Sequence, residues 1–89
     1  MDLINKPIEV ISQFDTVGGI IPLRMRIEDV DYQLITAKIK EILYANENQY
    51  AGVKTLDYGC RVTIGEREQL LELRYHVEAH RWTIRRGLS

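Results

Sequence analysis

Six basic side chains in the C-terminal half of the chain have the clearest potential for chemistry, because arginine and protonated histidine can bind phosphate groups. From residue 74 to residue 86 the chain carries four arginines and one glutamate, a local formal charge of +3. The whole chain has a formal charge of -1, so nucleic-acid binding would need such a local patch. The candidate binding surface consists of Arg61, Arg74, His76, Arg81, Arg85 and Arg86.

Other residues that could do chemistry have simpler structural interpretations. The segment TVGGIIP at residues 16–22 lacks the lysine and hydroxyl residue that end a phosphate-binding loop, which favours a Gly-Gly turn before a strand. His76 and His80 would share a helix face as half of a zinc site, but a strand would separate them. Cys60 alternates in phase with apolar neighbours, which predicts a small core residue. We therefore expect no enzymatic activity, no cofactor and no metal site.

Strands must position these side chains, and alternation of apolar and polar residues predicts where the strands lie. In the segment TLDYGCRVTI at residues 55–64, every second residue is apolar, which predicts a half-buried strand. Similar short runs separated by turn residues predict five or six strands in a meander. The predicted inward side chains are Ile8, Val10, Leu23, Met25, Ile27, Ile35, Ala37, Ile39, Leu56, Tyr58, Cys60, Val62, Ile64, Leu71, Leu73, Tyr75, Val77, Trp82 and Ile84.

A register for the last three runs follows if residues 65–68 and 78–81 are loops of four residues. The inward pairs would then be Val62–Leu71, Cys60–Leu73, Tyr58–Tyr75, Val77–Trp82 and Tyr75–Ile84. The outward pairs would be Arg61–Glu72, Asp57–His76 and Arg74–Arg85, with a notch at Gly59 beside the two arginines. Like charges directly opposite each other destabilise a sheet slightly unless a ligand uses them. The row is therefore either a phosphate-binding surface or a solvated barrel exterior.

Two segments leave the choice between strand and helix open. The segment EREQLLELRYHVEAHR at residues 66–81 is rich in helix formers, but the consistent register of the two hairpins favours strands. Residues 32–44 fit a strand with a bulge or a short helix within 36–46, and the strand is favoured. If this strand pairs with residues 20–28, Arg24, Arg26, Lys38 and Lys40 form a second basic strip. Its charge would be largely cancelled by Glu28, Asp29, Asp31 and Glu41.

The composition predicts one small domain over residues 1–89. Hydrophobic residues make up 45% and charged residues 28% of the chain, as in ordinary globular proteins. Alternating strands in a chain of this size must close on themselves, so the predicted fold is a small antiparallel barrel or strongly bent meander, SH3-like or OB-like. A single cysteine, no signal-peptide pattern in MDLINKPIEV and no long apolar run predict a cytoplasmic protein without a membrane span.

Four segments carry a resemblance to a known group of proteins. PIEV (7–10), IPLRMRIED (21–29), YQLITAKIKEIL (32–43) and LELRYHVEAHRWTI (71–84) resemble small uncharacterised bacterial proteins that are often encoded next to Y-family translesion DNA polymerases. The chain departs from that pattern at Met25 and Ile27, where related patterns carry aromatic residues. The resemblance implies a β-barrel accessory protein with nucleic-acid or polymerase contacts, and it implies no site residue.

The predicted function is a non-enzymatic binding or adaptor module that acts through protein–protein contacts. The alternative is a weak nucleic-acid-binding accessory protein, linked to DNA repair synthesis, whose basic outer face contacts single-stranded nucleic acid. A homodimer through an open sheet edge would follow if the first and last strands do not close the barrel.

Overall fold

The computed structural model describes residues 4–28 and 31–88, and all regular secondary structure in these ranges is β-strand. Six strands follow one another in antiparallel order, and the first pairs with the last, so the sheet closes into a barrel. The strands are β1 (Lys6–Phe14), β2 (Ile20–Glu28), β3 (Leu34–Tyr50), β4 (Val53–Ile64), β5 (Arg67–His76) and β6 (Arg81–Gly87). The predicted small antiparallel barrel is confirmed, and the helices considered within 36–46 and 66–81 are wrong. Residues 1–3, part of the segment searched for a signal peptide, lie outside the described ranges.

The register predicted for the last three strands is wrong by two residues in both hairpins. The turn between β4 and β5 has two residues instead of four, because Ile64 pairs with Arg67 around Gly65 and Glu66. Gly65 has a φ of 62° at the first turn position, which only glycine adopts without strain. In the next hairpin, His76 pairs with Arg81, so the loop is residues 77–80 instead of the predicted 78–81. A shift of two residues keeps every side chain on its predicted face but changes its cross-strand partner.

In the observed register of β4, β5 and β6, every residue has a different cross-strand partner from the one predicted. The inward pairs are Leu56–Tyr75, Tyr58–Leu73, Cys60–Leu71, Tyr75–Trp82 and Leu73–Ile84, and the outward pairs include Asp57–Arg74, Gly59–Glu72, Arg61–Leu70, Thr55–His76 and Arg74–Thr83. The predicted opposition of Arg74 to Arg85 is therefore wrong. A bulge between Glu72 and Leu73 separates the end of β6 from this ladder.

Strand β3 bends through two bulges. It has 17 residues, which would extend about 55 Å if straight, whereas the longest dimension of the described molecule is 36 Å. Lys40 and Leu43 are each an extra residue relative to β4, because the pairing passes from Ile39 to Glu41 and from Ile42 to Tyr44. A bulge lets Ile39 and Ile42, three residues apart, both face inward. This explains why the segment fitted both strand and helix spacing, and it confirms the predicted bulged strand.

The barrel interior contains the alternating apolar residues. Ten of them form the buried core: Met25, Ile27, Ala37, Tyr58, Cys60, Val62, Leu71, Leu73, Trp82 and Ile84. Trp82 packs against Tyr58 and Tyr75 with ring centroids 5.6 and 5.0 Å apart. Cys60 is fully buried, and burial raises the pKa of its thiol to about 12, so it is the predicted core residue. Leu23 is an exception, because it is the extra residue of a bulge in β2 and is 42% exposed.

The pairing of β3 changes along its length. Residues 34–38 pair with β2 on one side, and residues 37–50 pair with β4 on the other. Beyond Lys38, no strand in the described ranges pairs with the edge of β3 that faces away from β4. In contrast, β1 and β6 pair through Lys6–Ile8, so the first and last strands are joined rather than open. Within 4–28 and 31–88 the chain forms no helix long and apolar enough to cross a membrane.

Candidate functional site

The predicted arginines of β5 and β6 lie around two buried carboxylates. Asp57 and Glu72 are both 4% exposed, although they lie on the outer side of the barrel. An uncompensated carboxylate at such a position would be costly, so each one needs cationic or hydrogen-bonding partners. We call this surface the paired face, and it comprises Tyr44, Asn48, Asp57, Glu72, Arg74, Thr83, Arg85 and Arg86.

Asp57 lies directly opposite Arg74 and accepts two hydrogen bonds from its guanidinium. The Nε–Oδ1 and NH2–Oδ2 distances are 2.7 and 2.9 Å, a bidentate arrangement. Asn48 Nδ2 donates a third hydrogen bond to Asp57 Oδ2 at 2.6 Å. The hydrogen bonds to Asp57 raise the pKa of Arg74, against the opposing effect of burial. Arg74 therefore binds a carboxylate of its own chain in this structure.

Glu72 is the centre of the second cluster. It accepts a hydrogen bond from Tyr44 Oη and another from Arg85 NH1 at 2.7 Å, and Arg86 Nε lies 3.3 Å away. Burial alone raises the pKa of Glu72, but the hydrogen bonds from Tyr44 and Arg85 and the two nearby positive charges outweigh it. The pKa of Glu72 consequently lies below its ordinary value, and the carboxylate is ionised at neutral pH.

Gly59 is what allows Tyr44 to reach Glu72. The two residues are cross-strand partners, and a Cβ on Gly59 would lie 2.1 Å from the Tyr44 ring. The aromatic ring thus lies where the sequence predicted an empty notch, and that part of the prediction is wrong. Covering a mid-strand glycine with a cross-strand aromatic ring protects the exposed backbone and fixes the register of the two strands.

The other predicted residues have different surroundings. His76 lies 3.1 Å from the Thr83 hydroxyl. Burial, with the charges of Arg81 and Arg74, lowers its pKa below 6.5, so it is largely neutral at pH 7. Arg81 is exposed and pairs in the ladder with His76. Arg61 lies apart from the paired face and forms an exposed ion pair with Glu68 at 2.8 Å.

The structure therefore brings Arg74, Arg85 and Arg86 to one surface but gives each a carboxylate within 3.3 Å. Sequence reasoning did not place Tyr44 or Asn48 on this surface, where Tyr44 completes the Glu72 cluster and Asn48 the Asp57 cluster. The sequence pattern that could have revealed them is the alternation of Tyr44, Asn46 and Asn48. These residues lie on the outer face only because the bulges at Lys40 and Leu43 shift the alternation of β3.

A shallow cleft adjoins the paired face at the far end of the β3–β4 hairpin. The cleft has a volume of about 360 Å³, and we call it the hairpin cleft. Its lining includes Asn48, Tyr50, Val53, Thr55, Arg74 and His76. Tyr50 is 86% exposed and Val53 52% exposed, and they are the last cross-strand pair before the Ala51–Gly52 turn. Both turn residues have positive φ, 51° and 82°, which is typical of a two-residue type I′ turn.

The second basic strip predicted from the sequence forms where β2 pairs with the first part of β3. Strands β2 and β3 do pair, which places Arg24 directly opposite Lys38. We call Arg24, Arg26, Lys38, Lys40 and Arg61 the cationic strip. Arg26 binds Glu9, with Nε 2.9 Å from its carboxylate, while Lys40 and Arg61 share Glu68. Asp29, one of the residues expected to cancel the strip's charge, lies outside the described ranges.

No group of three or more His, Cys, Asp or Glu side chains in the described part of the chain is arranged to hold a metal ion. Comparison of the chain with family models, with curated proteins and with solved structures finds no match. The resemblance to proteins encoded next to Y-family polymerases therefore stays a prediction. What the structure establishes is a small single β-barrel with two arginine-containing surfaces, which differ in how their cations are paired, and one exposed apolar hairpin end.

Proposed function

We propose that this chain is a non-enzymatic binding or adaptor module that contacts a partner protein through the hairpin cleft. The observation that carries the proposal is the exposure of Tyr50 and Val53 beside the cleft. Tyrosine beside arginine is a combination enriched at the centres of protein interfaces, where the ring supplies apolar area at a small cost in side-chain entropy.

The preorganised floor of the hairpin cleft supports this proposal. Arg74 is held by two hydrogen bonds to Asp57, and His76 lies within hydrogen-bonding distance of Thr83. A partner that binds here would find these groups already ordered, so it would not have to immobilise them. The Arg74 side chain is still 27% exposed, which leaves its guanidinium able to donate a hydrogen bond to a carbonyl or carboxylate of a partner.

The free edge of β3 offers a second mode of contact with the same partner. From Tyr44 to Tyr50 the strand is regular and, among the residues that the structure describes, pairs with β4 alone, so its outer backbone groups are available to an added strand. The bulges at Lys40 and Leu43 interrupt the edge before this segment, as expected for an edge protected against indiscriminate pairing. The accessible edge is therefore short and adjoins the hairpin cleft.

The ion pairs of the paired face favour a protein over nucleic acid as the partner on this side of the barrel. Phosphate binding by Arg74, Arg85 or Arg86 would have to compete with the buried carboxylates of Asp57 and Glu72. His76 adds little positive charge at neutral pH because its pKa is lowered. The positive charge of this surface is thus mostly neutralised by carboxylates of the same chain.

The test is quantitative capture of partner proteins from a nuclease-treated lysate of the source cells. The bait proteins would be the wild type, a Tyr50→Ser/Val53→Ser variant, and a Tyr32→Ser variant as a matched control. Tyr32 is 85% exposed, close to the 86% of Tyr50, but lies in the loop between β2 and β3. If the resemblance to polymerase-linked proteins holds, a Y-family polymerase is the first partner to look for.

The expected result is a protein that binds the wild type and the Tyr32→Ser variant but not the Tyr50→Ser/Val53→Ser variant. Calorimetry with the purified partner should then show at least a tenfold weaker affinity for the cleft variant, since hot-spot tyrosines contribute about 2 kcal/mol or more. Equal binding of all three baits, or no specific binding at all, would reject the hairpin cleft as the docking surface.

A further inference from the structure

Arg24 and Lys38 form a cross-strand pair of like charge. They are directly opposite each other on β2 and β3, and both are exposed. None of the ion pairs found in the described ranges includes either side chain. Like charges directly opposite on a sheet repel each other. An anion bound between them would replace this repulsion with two favourable contacts.

The neighbouring charges leave the surface positive. The cationic strip has five cations, and the carboxylates beside them are Glu9, Glu28, Glu41 and Glu68, of which Glu28 follows Arg26 on the exposed face of β2. Its formal charge is therefore +1, on a chain whose total formal charge is -1. The strip is thus locally positive although the whole chain is negative, which favours attraction of a polyanion to this face.

The shape of the strip favours a chain of anions over a single one. Its cations lie on three successive strands, β2, β3 and β4, so they extend over roughly 10 Å at an interstrand spacing of about 4.8 Å. A cleft of about 410 Å³ lies against the strip, and its lining includes Glu9, Ile11, Arg24, Arg26 and Thr36. Ile11 pairs with Arg24 and is 61% exposed, and Phe14, at the end of β1, is 66% exposed. Apolar side chains beside cations suit a ligand that has bases next to phosphates.

We propose that the cationic strip binds the sugar–phosphate backbone of single-stranded nucleic acid, with Arg24 and Lys38 as the main phosphate contacts. This site is distinct from the paired face and from the hairpin cleft. Arg24 supplies a planar fork of donors for phosphate oxygens, and Lys38 supplies a second point charge. Arg26, held by Glu9, and the group of Lys40, Arg61 and Glu68 extend the strip on either side.

The test is titration of the 15N-labelled protein with a ten-nucleotide oligothymidylate at low and high salt, followed by NMR. The expected result is salt-sensitive shifts centred on Arg24, Lys38 and Ile11. An Arg24→Glu/Lys38→Glu variant should bind at least tenfold more weakly. The slope of log affinity against log salt should fall by about 1.4 in magnitude, because each phosphate contact to a single strand contributes roughly 0.7. An Arg81→Glu variant, which changes an exposed arginine of β6, should bind as the wild type does.

Two further titrations identify the kind of anion. Inorganic phosphate should shift the same resonances only at much higher concentration, because it can occupy one contact at a time. A ten-residue polyglutamate should bind several-fold more weakly than the oligonucleotide. Equally tight binding of polyglutamate would overturn the proposal in favour of an acidic protein partner. The proposal also fails if the oligonucleotide causes no shifts, if the shifts centre on Arg74 and Arg85, or if the double variant keeps its affinity.

Discussion

The paired face and the cationic strip carry similar arginines but differ in what surrounds them. On the paired face, Arg74 and Arg85 each lie 2.7 Å from a carboxylate that is 4% exposed. On the cationic strip, Arg24 lies opposite Lys38. The difference teaches that the number of cations in a segment does not measure the charge available to a ligand. Cross-strand register decides it, because register determines whether an arginine meets a carboxylate or another cation.

The two surfaces also differ in what their cations do for stability. Removing a cation from the paired face leaves a buried carboxylate without its partner, which is costly. Removing Arg24 or Lys38 from the cationic strip relieves repulsion instead. We therefore expect substitutions on the two surfaces to change the free energy of unfolding in opposite directions, and the following predictions test this contrast.

Gly59→Ala should have the largest effect on the paired face. The added Cβ would lie 2.1 Å from the Tyr44 ring, so the ring must leave its place and its hydrogen bond to Glu72. We expect a loss of about 3 kcal/mol in the free energy of unfolding, measured by urea denaturation. In a Tyr44→Ala background the same substitution should cost almost nothing, since alanine is otherwise preferred over glycine in strands. Equal costs in the two backgrounds would show that Tyr44 is not the reason for the glycine.

Arg74→Ala should destabilise the protein by about 2 kcal/mol, because Asp57 would keep its charge at a site where its carboxylate is 6% exposed. The double variant Asp57→Asn/Arg74→Ala should be less destabilised than Arg74→Ala alone, since neither charge then remains buried. Arg61→Ala is the control, because its partner Glu68 is exposed and its loss should leave the urea midpoint unchanged. A destabilisation by Arg61→Ala as large as that by Arg74→Ala would remove the distinction between the surfaces.

Glu72→Gln should destabilise the protein by about 1–2 kcal/mol at neutral pH, since it weakens hydrogen bonds to charged partners. The pKa of Glu72 is lowered from 4.5 in the folded state, so the unfolded state takes up the proton first as pH falls. The stabilising contribution is therefore complete above about pH 4.5 and is lost as pH falls through the lower folded pKa. The difference between wild type and variant should narrow below pH 4.5, and a constant difference would contradict this account.

Lys38→Glu should have the smallest effect and the opposite sign. It replaces a like-charge pair with an ion pair between residue 38 and Arg24, and we expect a gain of about 0.5 kcal/mol in the free energy of unfolding. Salt should reduce the gain, because the pair is exposed. Lys38→Gln, which removes the charge without reversing it, should give a smaller gain. Destabilisation by both variants would mean that Lys38 has a structural role that the pairing does not reveal.

Sequence reasoning identified the barrel and the face of nearly every side chain but not the cross-strand partners. It placed Cys60 and Leu73 inside and Arg74 outside correctly. It predicted a bulged strand for β3 without the positions of its two bulges, and it failed on Leu23 and on the register of two hairpins. The predicted binding residues were consequently found on two different surfaces, and whether they bind a ligand stays a prediction.

By itself, the sequence determined which face of the sheet most side chains would occupy, because alternation has a period of two and survives a register shift of two residues. The tertiary structure alone decided which charges would meet. The two-residue turn at Gly65–Glu66 set Asp57 opposite Arg74, and the bulges of β3 brought Tyr44 over Gly59 to Glu72. The register and the bulge positions depend on packing around the closed barrel. There, β3 must bend and the two buried carboxylates must find partners at the same time. A local pattern contains no information about such long-range contacts.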